Sequence, residues 1–174
     1  MTTLRGLRVA LRPVSESDLP RLFEILRQPA VARFWTPPEN EREREGLLLG
    51  SDPDGADAIS TFVITLADEV VGYIAGWEIL EPDYRHAGVD VFLDSARHGR
   101  GYGVEAIQLV CRWLFEVRGH HRVIIDPAAD NHRAIRSYER AGFKRVGVLR
   151  RYERGADGTF HDGLLLDLLA EDLA

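Results

Sequence analysis

Three glycines at alternate positions stand directly before a helical pattern, in the stretch HGRGYG at residues 98–103. Glycine has no Cβ, so it accepts a positive φ and lets another molecule approach the main chain. The first N–H groups of a helix lack intrahelical partners and carry partial positive charge. Gly99, Gly101 and Gly103 together therefore predict an anion site, and most often such a site binds phosphate.

Two well-known phosphate loops do not fit this spacing. A Rossmann loop requires G-x-G-x-x-G, whereas the glycines here are spaced G-x-G-x-G. A P-loop requires Lys and then Ser or Thr after its last glycine, whereas Val104 and Glu105 follow Gly103. A flexible turn that binds nothing stays open as the alternative when this loop is considered alone.

A second motif, NHRAIRSYERAGF, occupies residues 131–143. Together with the loop it resembles the GNAT superfamily, the GCN5-related N-acetyltransferases. Gly101 and Gly103 match the loop glycines of that family. Its Asn-x-x-Ala-x-x-x-Tyr-x-x-x-Gly-Phe pattern is matched in full by Asn131, Ala134, Tyr138, Gly142 and Phe143.

The loop departs from the family pattern at one position. Where the family usually has Arg or Gln this chain has His98, and an arginine stands one residue earlier, at Arg97. Backbone N–H groups make most of the contacts to phosphate in such loops, so we expect binding to survive the change. The sequence leaves open which of Arg97, His98 and Arg100 reaches a phosphate.

The resemblance implies an enzyme that uses acetyl-CoA. The loop N–H groups would point at the pyrophosphate of CoA, and the pantetheine would enter between two parted strands at residues 89–93 and 123–126. The cofactor-binding residues that the resemblance implies are Phe92, Leu93, His98, Gly99, Arg100, Gly101, Tyr102, Gly103, Val104, Asn131, Arg133 and Ala134.

Acetylation of an amine by a thioester requires a group that takes a proton and benefits from a group that gives one. By resemblance Tyr138 donates to the CoA sulfur; packing of its ring against the sheet is the alternative. Asp90 interrupts the apolar run AGVDVFL, where a carboxylate is costly unless it is exposed or functional. Strand alternation places Asp90 on the face of Phe92 and opposite to Val89 and Val91.

Further matches are similar to the aminoglycoside 6'-N-acetyltransferase branch of the family. GVD at residues 88–90 matches its Gly-Ile-Asp, whose Asp is a base or an ammonium-binding group, and Asp126-Pro127 precedes the second motif as in that branch. The branch implies a cationic small-molecule amine as acceptor and antibiotic resistance as the outcome. The substrate-binding candidates are Trp35, Asp83, Asp126 and Asp162.

Three of these candidates have a second interpretation, and two other functions stay open. Trp35 forms either a wall for a sugar ring or a plug between two helices, and Asp83 and Asp162 are otherwise surface carboxylates. The alternative functions are a protein N-terminal acetyltransferase of the ribosomal-protein type, in which a stretch like LRPVSESDL is also common, and a non-catalytic CoA-binding module.

The elements that position these residues follow the family order. Hydrophobic periodicity predicts strands at 7–14, 60–66, 70–80, 86–93, 121–126, 143–154 and 159–169. It predicts helices at 15–26, 104–117 and 131–142, and another that opens within 37–45. We therefore expect one α/β (α+β) domain over residues 1–174, with a mixed, mostly antiparallel sheet whose splayed central strands are flanked by helices.

Composition narrows the classes of partner and compartment. A net charge of −6 argues against nucleic acid as a partner and suits a cationic one. The single cysteine, Cys111, excludes an internal disulfide and fits the cytoplasm, and the six histidines show no metal-ligand spacing. The sequence has no membrane-length apolar run and no signal-peptide pattern, and it does not separate a monomer from a homodimer. Trp77 and Trp113 are assigned to the core.

Overall fold

The computed structural model describes residues 3–35, 45–46, 48–50, 58–155 and 157–173. These residues form one eight-stranded mixed sheet, with strand order β1-β2-β3-β4-β5-β6-β8-β7, flanked by helices. None of the described helices is long and apolar enough to cross a membrane. The strands are β1 Leu4–Arg5, β2 Ala10–Pro13, β3 Ile59–Leu66, β4 Glu69–Ile79, β5 His86–Leu93, β6 Arg122–Ile125, β7 Lys144–Arg154 and β8 Phe160–Leu169. The helices that matter for the site are α1 Leu19–Leu26, α2 Pro29–Ala32, α3 Tyr102–Glu116 and α4 His132–Ala141.

The N-terminus differs from the prediction of one strand over residues 7–14. The backbone turns at Gly6, whose N–H donates to the carbonyl of Val9 at 2.9 Å, so that β1 pairs back onto β2. Leu7 lies on this turn and is 99% exposed, which an in-strand leucine facing the core would not be. A helix is predicted to open within residues 37–45, of which only Glu45 is described; Glu45 is helical, as are Gly46, Leu48 and Leu49.

The predicted separation of the central strands is confirmed. β5 and β6 run parallel and pair at two positions, Ala87 with Val123 and Gly88 with Ile124. Past this point β6 pairs only with β8 on its other side, within the described residues. The backbone of β5 from Val89 onward therefore faces an opening instead of a neighbouring strand.

The sheet separates two apolar layers, and β5 contributes alternately to both. Val89 packs in the layer with α3 and α4, whereas Phe92 packs in the layer with α1 and α2. In the second layer the rings of Tyr73 and Phe92 are stacked, with their centroids 5.2 Å apart. The alternation confirms that Asp90 shares a face with Phe92.

The glycine loop has the backbone geometry that its composition predicts. Gly99 and Gly101 have φ values of 74° and 82°, in the left-handed region that glycine adopts most easily. Gly101 is the N-cap residue of α3, and as a glycine it offers the first N–H groups of the helix no side-chain acceptor. Arg8 fixes the loop from the N-terminal segment, because its guanidinium donates to the carbonyl of Arg100 at 2.9 Å and to Glu105 at 2.9 Å.

Candidate active site

A cavity of about 730 Å³ lies where β5 and β6 separate. Its walls come from the ends of these two strands, from α2 and α4, and from the outer part of β7, residues 152–154. The cavity brings together most of the residues that the sequence singled out. Those that line it are Trp35, Asp90, Phe92, Leu93, His98, Gly103, Asp126, Asn131, Arg133, Ala134 and Tyr138.

Two of the predicted substrate-binding residues lie elsewhere. Asp83 is exposed on a short 3₁₀ turn at Pro82–Tyr84 and does not line the cavity. The Asp162 carboxylate accepts a hydrogen bond from the backbone N–H of Arg151 at 2.7 Å, where Arg151 has a φ of 49°. We therefore correct the expectation for both: Asp83 is a surface residue, and Asp162 supports a strained bend in β7.

The glycine loop reaches the cavity through His98 and Gly103, which both line it. The other predicted cofactor residues of the loop lie outside the cavity lining, on the chain between and just after these two: Gly99, Arg100, Gly101, Tyr102 and Val104. Among the described residues nothing lies within 4 Å of the position that a Cβ would take at Gly99. This side of the loop is therefore open to an approaching group.

Asp90 has the environment of a carboxylate that can take up a proton near neutral pH. Burial raises the pKa of Asp90 from 3.8 to about 6, and the negative charges of Asp126 and Glu153 act in the same direction. A hydrogen bond from the indole of Trp77 acts in the opposite direction. Asp90 is therefore ionised at pH 7 but binds a proton far more readily than an exposed aspartate.

Tyr138 is a buried phenol in the cavity wall. It lies on α4, lines the cavity and is 8% exposed. Burial raises the pKa of the Tyr138 hydroxyl, and the negative charges of Asp90 and Asp126 add to this effect. The phenol therefore keeps its proton at physiological pH, even though its ring also packs in the core, where its centroid is 6.5 Å from that of Phe143.

The outer part of β7 adds a carboxylate to the cavity that the sequence analysis missed. Tyr152, Glu153 and Arg154 line the cavity, and the Tyr152 hydroxyl donates to the Asp126 carboxylate at 2.6 Å. Burial and the charge of Asp126 raise the pKa of Glu153. The stretch RRYER has the composition of a solvent-facing strand, and residues 152–154 lie around the end of an irregularity in the β7 register between Leu149 and Glu153.

Trp35 packs in the core and also lines the cavity. Its ring contacts those of Tyr73 and Phe92 edge-on, with centroids 6.1 and 5.0 Å away, so it packs in the core. Its indole N–H donates to the carbonyl of Val91 in β5 at 3.2 Å. The same residue lines the cavity, and it therefore presents a rigid aromatic surface there.

His98 joins the end of β5 to the start of α4. One ring nitrogen, Nε2, lies 3.0 Å from the carbonyl of Leu93, and the other, Nδ1, lies 2.6 Å from the guanidinium of Arg133. A carbonyl only accepts and a guanidinium only donates, so both contacts require neutral imidazole with its proton on Nε2. Burial and the charge of Arg133 lower the pKa of His98, in agreement with this state.

These contacts indicate which of two arginines near the loop faces the cavity. Arg97 forms an ion pair with Glu69 at 2.8 Å, on the hairpin between β3 and β4. Arg133, which His98 holds, lines the cavity. Of Arg97 and Arg133, Arg133 is therefore the one that faces the cavity.

Asn131 caps α4, since its side chain accepts a hydrogen bond from the N–H of Ala134 at 3.3 Å.

The arrangement fits a long ligand with an anionic end, as CoA is. A chain of amide groups can lie along the edge of β5 from Val89 to Leu93 that pairs with β4 on its other side but not with β6, as an added strand does. A phosphate can meet the N–H groups at the start of α3, with Arg133 lining the same cavity. The carboxylates of Asp126 and Glu153 form an acidic wall of this cavity, which suits a cationic ligand.

Known proteins resemble this chain in sequence and in structure. A family model described as "Acetyltransferase (GNAT) domain" matches residues 8–144. The aminoglycoside N(6')-acetyltransferase type 1 of Klebsiella pneumoniae is 28% identical over 153 residues, which are 81% of this chain and 76% of that protein.

Two solved structures show the same likeness. The aminoglycoside acetyltransferase AAC(6')-Ib, in complex with coenzyme A and kanamycin, has a TM-score of 0.76 and 26% identity, and the match covers 94% of this chain and 96% of that one. RimJ of Mycobacterium smegmatis, in complex with CoA-disulfide, has a TM-score of 0.81, and the match covers 99% of this chain and 89% of that one. The RimJ likeness, at 24% identity, shows the fold alone.

Proposed function

The chain belongs to the GNAT family of acetyl-CoA-dependent N-acetyltransferases, and from that premise we propose that its acceptor is the amine of an aminoglycoside-type amino sugar. The observation that carries this proposal is the acidic set Asp90, Asp126 and Glu153 in one cavity. Asp90 and Asp126 are partly buried and Glu153 is exposed. With a neutral acceptor these three carboxylates would share the cavity with only two arginines, Arg133 and Arg154, whereas a sugar with several ammonium groups would pair with them. The kanamycin complex of the structural relative supports the same class.

On the cofactor side, groups of the protein bind acetyl-CoA and orient it. Acetyl-CoA supplies the thioester whose acetyl group is transferred. The N–H groups at the start of α3 and the guanidinium of Arg133 would hold its phosphates, and the edge of β5 at Phe92 and Leu93 that does not pair with β6 would hold its pantetheine. Holding both reactants in one cavity supplies a large part of the rate enhancement by proximity.

On the acceptor side, Asp90 binds the ammonium and takes its proton. An amine attacks only when neutral, and amino-sugar amines are largely protonated at pH 7. A carboxyl with a pKa of 3.8 would hold the proton too weakly; the pKa of about 6 at Asp90 narrows this gap. The Oδ atoms of Asp90 receive the proton, and Trp35 gives the sugar ring an aromatic surface.

On the leaving-group side, the Tyr138 hydroxyl donates its proton to the departing sulfur, and the second proton that the nitrogen loses on forming the amide restores the hydroxyl. Burial and the nearby carboxylates raise the pKa of Tyr138, so the hydroxyl transfers its proton only to a sulfur that has acquired negative charge. Tyr138 lies on α4, whose first turn also carries Arg133. One helix therefore positions both the proton donor and the arginine on the cofactor side.

The proposal is tested by measuring thiol release from acetyl-CoA in the presence of kanamycin. We expect turnover that saturates with kanamycin and much less turnover with a short peptide bearing a free α-amine. Preferred turnover of the peptide would support the protein N-terminal acetyltransferase instead. Tight binding of CoA without turnover of either acceptor would support the non-catalytic module.

The glycine loop gives a prediction for cofactor binding. Gly101→Ala places a Cβ at a φ of 82° and 3.1 Å from the guanidinium of Arg8, and the left-handed conformation alone costs roughly 1–2 kcal/mol. We expect about tenfold weaker CoA binding by calorimetry, because the loop must shift. Gly119→Ala is the control, since Gly119 has a φ of 72° beyond the far end of α3. Equal CoA affinity in Gly101→Ala and wild type would contradict the prediction.

A further inference from the structure

The indole of Trp77 belongs with the site and not with the core to which the sequence assigned it. Trp77 in β4 stands directly opposite Gly88 in β5, and Asp90 stands opposite Ala75 two residues along. Opposed residues and residues two apart share a face of the sheet, so Trp77, Gly88 and Asp90 lie on one face. The indole of Trp77 lowers the pKa of the Asp90 carboxyl, as a side-chain hydrogen-bond donor does, and an indole nitrogen can only donate.

Gly88 makes this contact possible. A Cβ at Gly88 would lie 2.0 Å from one ring carbon of Trp77 and 2.2 Å from another. The indole therefore crosses β5 over bare backbone, where any other residue would push it away. The ring of His86 also packs against the indole, with the centroids 5.9 Å apart and the planes at 78°. The path of the indole is thus set by His86 and Gly88, which lie two residues apart on one face of β5.

We propose that Trp77 is a positioning residue for Asp90: its indole N–H, carried across Gly88, holds the carboxylate in the orientation in which it meets the acceptor amine. This inference rests on the proposed function at one point only, because that function supplies the amine that Asp90 meets. The N–H occupies one lone pair of the carboxylate and leaves the others for the ammonium. The Gly-Val-Asp sequence then has a local physical reason, because the glycine admits the residue that orients the aspartate.

The other groups around Asp90 do not replace this contact. Those whose charge or titration is coupled to Asp90 are acids and phenols: Tyr73 in β4, Asp126 after β6, Tyr138 in α4, and Tyr152 and Glu153 in β7. The cavity also holds the cations Arg133 and Arg154. Desolvation and the two acids raise the pKa of Asp90, and the Trp77 hydrogen bond lowers it. Loss of the N–H should therefore raise the pKa of Asp90 above its wild-type value.

The test compares Trp77→Phe with wild type in two measurements. The first is the pH dependence of kcat/KM for kanamycin; the second is the titration of the Asp90 carboxyl carbon by NMR, identified by its loss in Asp90→Asn. We expect both midpoints to move up by about one pH unit, with a roughly tenfold lower rate on the acidic limb and little change in rate above it. Trp113→Phe is the matched control, since Trp113 packs on Phe62 away from Asp90.

Three outcomes separate the inference from the function it rests on. An unchanged NMR midpoint in folded Trp77→Phe would overturn the inference, as would an equal fall in rate at every pH. If Trp77→Phe does not fold, Gly88→Ala, which displaces the indole, must show the same upward shift for the inference to stand. A shifted NMR midpoint in a protein that does not acetylate kanamycin would leave the inference intact and reject the proposed acceptor.

Discussion

Replacing Asp90 with asparagine is expected to lower kcat/KM for the amine acceptor by about 10²- to 10⁴-fold, the range that a positioned proton-transfer group contributes. The amide has nearly the shape of the carboxylate but carries no charge and takes no proton. The wild-type acidic limb near pH 6, where the Asp90 carboxylate becomes protonated, should disappear in the variant. Steady-state kinetics with kanamycin over roughly pH 5 to 9 measures both effects.

Asp83→Asn is the matched control for this substitution, because Asp83 lies on an exposed turn outside the cavity.

The stability of the variants gives a second check with a defined sign. Since folding raises the pKa of Asp90, stability falls as the pH rises from 3.8 through about 6, at a cost of about 3 kcal/mol for the full shift. Asp90→Asn should therefore melt at or above the wild-type temperature at about pH 8. A large loss of stability would mean that Asp90 serves the fold.

Tyr138→Phe is expected to lower kcat by roughly 10- to 10³-fold, since it removes the proton donor and leaves the ring in place. The KM for the acceptor should change little, because the proposed donation is to the sulfur and not to the amine. Pre-steady-state and steady-state thiol release measure the effect on kcat. Tyr84→Phe is the control, a tyrosine that is 75% exposed and outside the cavity lining. An unchanged kcat in Tyr138→Phe would remove the proton donor from the mechanism.

The parts of the fold that sequence could predict are those with local causes. Gly99 and Gly101 have positive φ values, which glycine adopts most easily, and this part of the loop geometry matches the expectation. The alternation of residues in β5 predicted that Asp90 and Phe92 lie on one face, because the two layers of the core require apolar side chains on opposite faces of the strand. The separation of β5 and β6, in contrast, came from the family resemblance and not from any local pattern.

The missed parts of the site depend on distant contacts. Glu153 lines the cavity at the end of an irregular stretch of β7 between Leu149 and Glu153, and nothing in the sequence of that strand marks the irregularity. Trp77 lies far from Asp90 along the chain, and only the β4–β5 register brings them together. The contact that His98 makes depends on Arg133, which lies on another element, α4. Such residues become visible only when the pairing of the elements is known.

The central claim is that this chain transfers an acetyl group to an amino sugar by means of Asp90. The most direct measurement is the mass of kanamycin after incubation with acetyl-CoA and either wild type or Asp90→Asn. We expect kanamycin with one added acetyl group from the wild type, and almost none from the variant in the same time. Unmodified kanamycin after incubation with folded, CoA-binding wild type, or equal acetylation by Asp90→Asn, would contradict the claim.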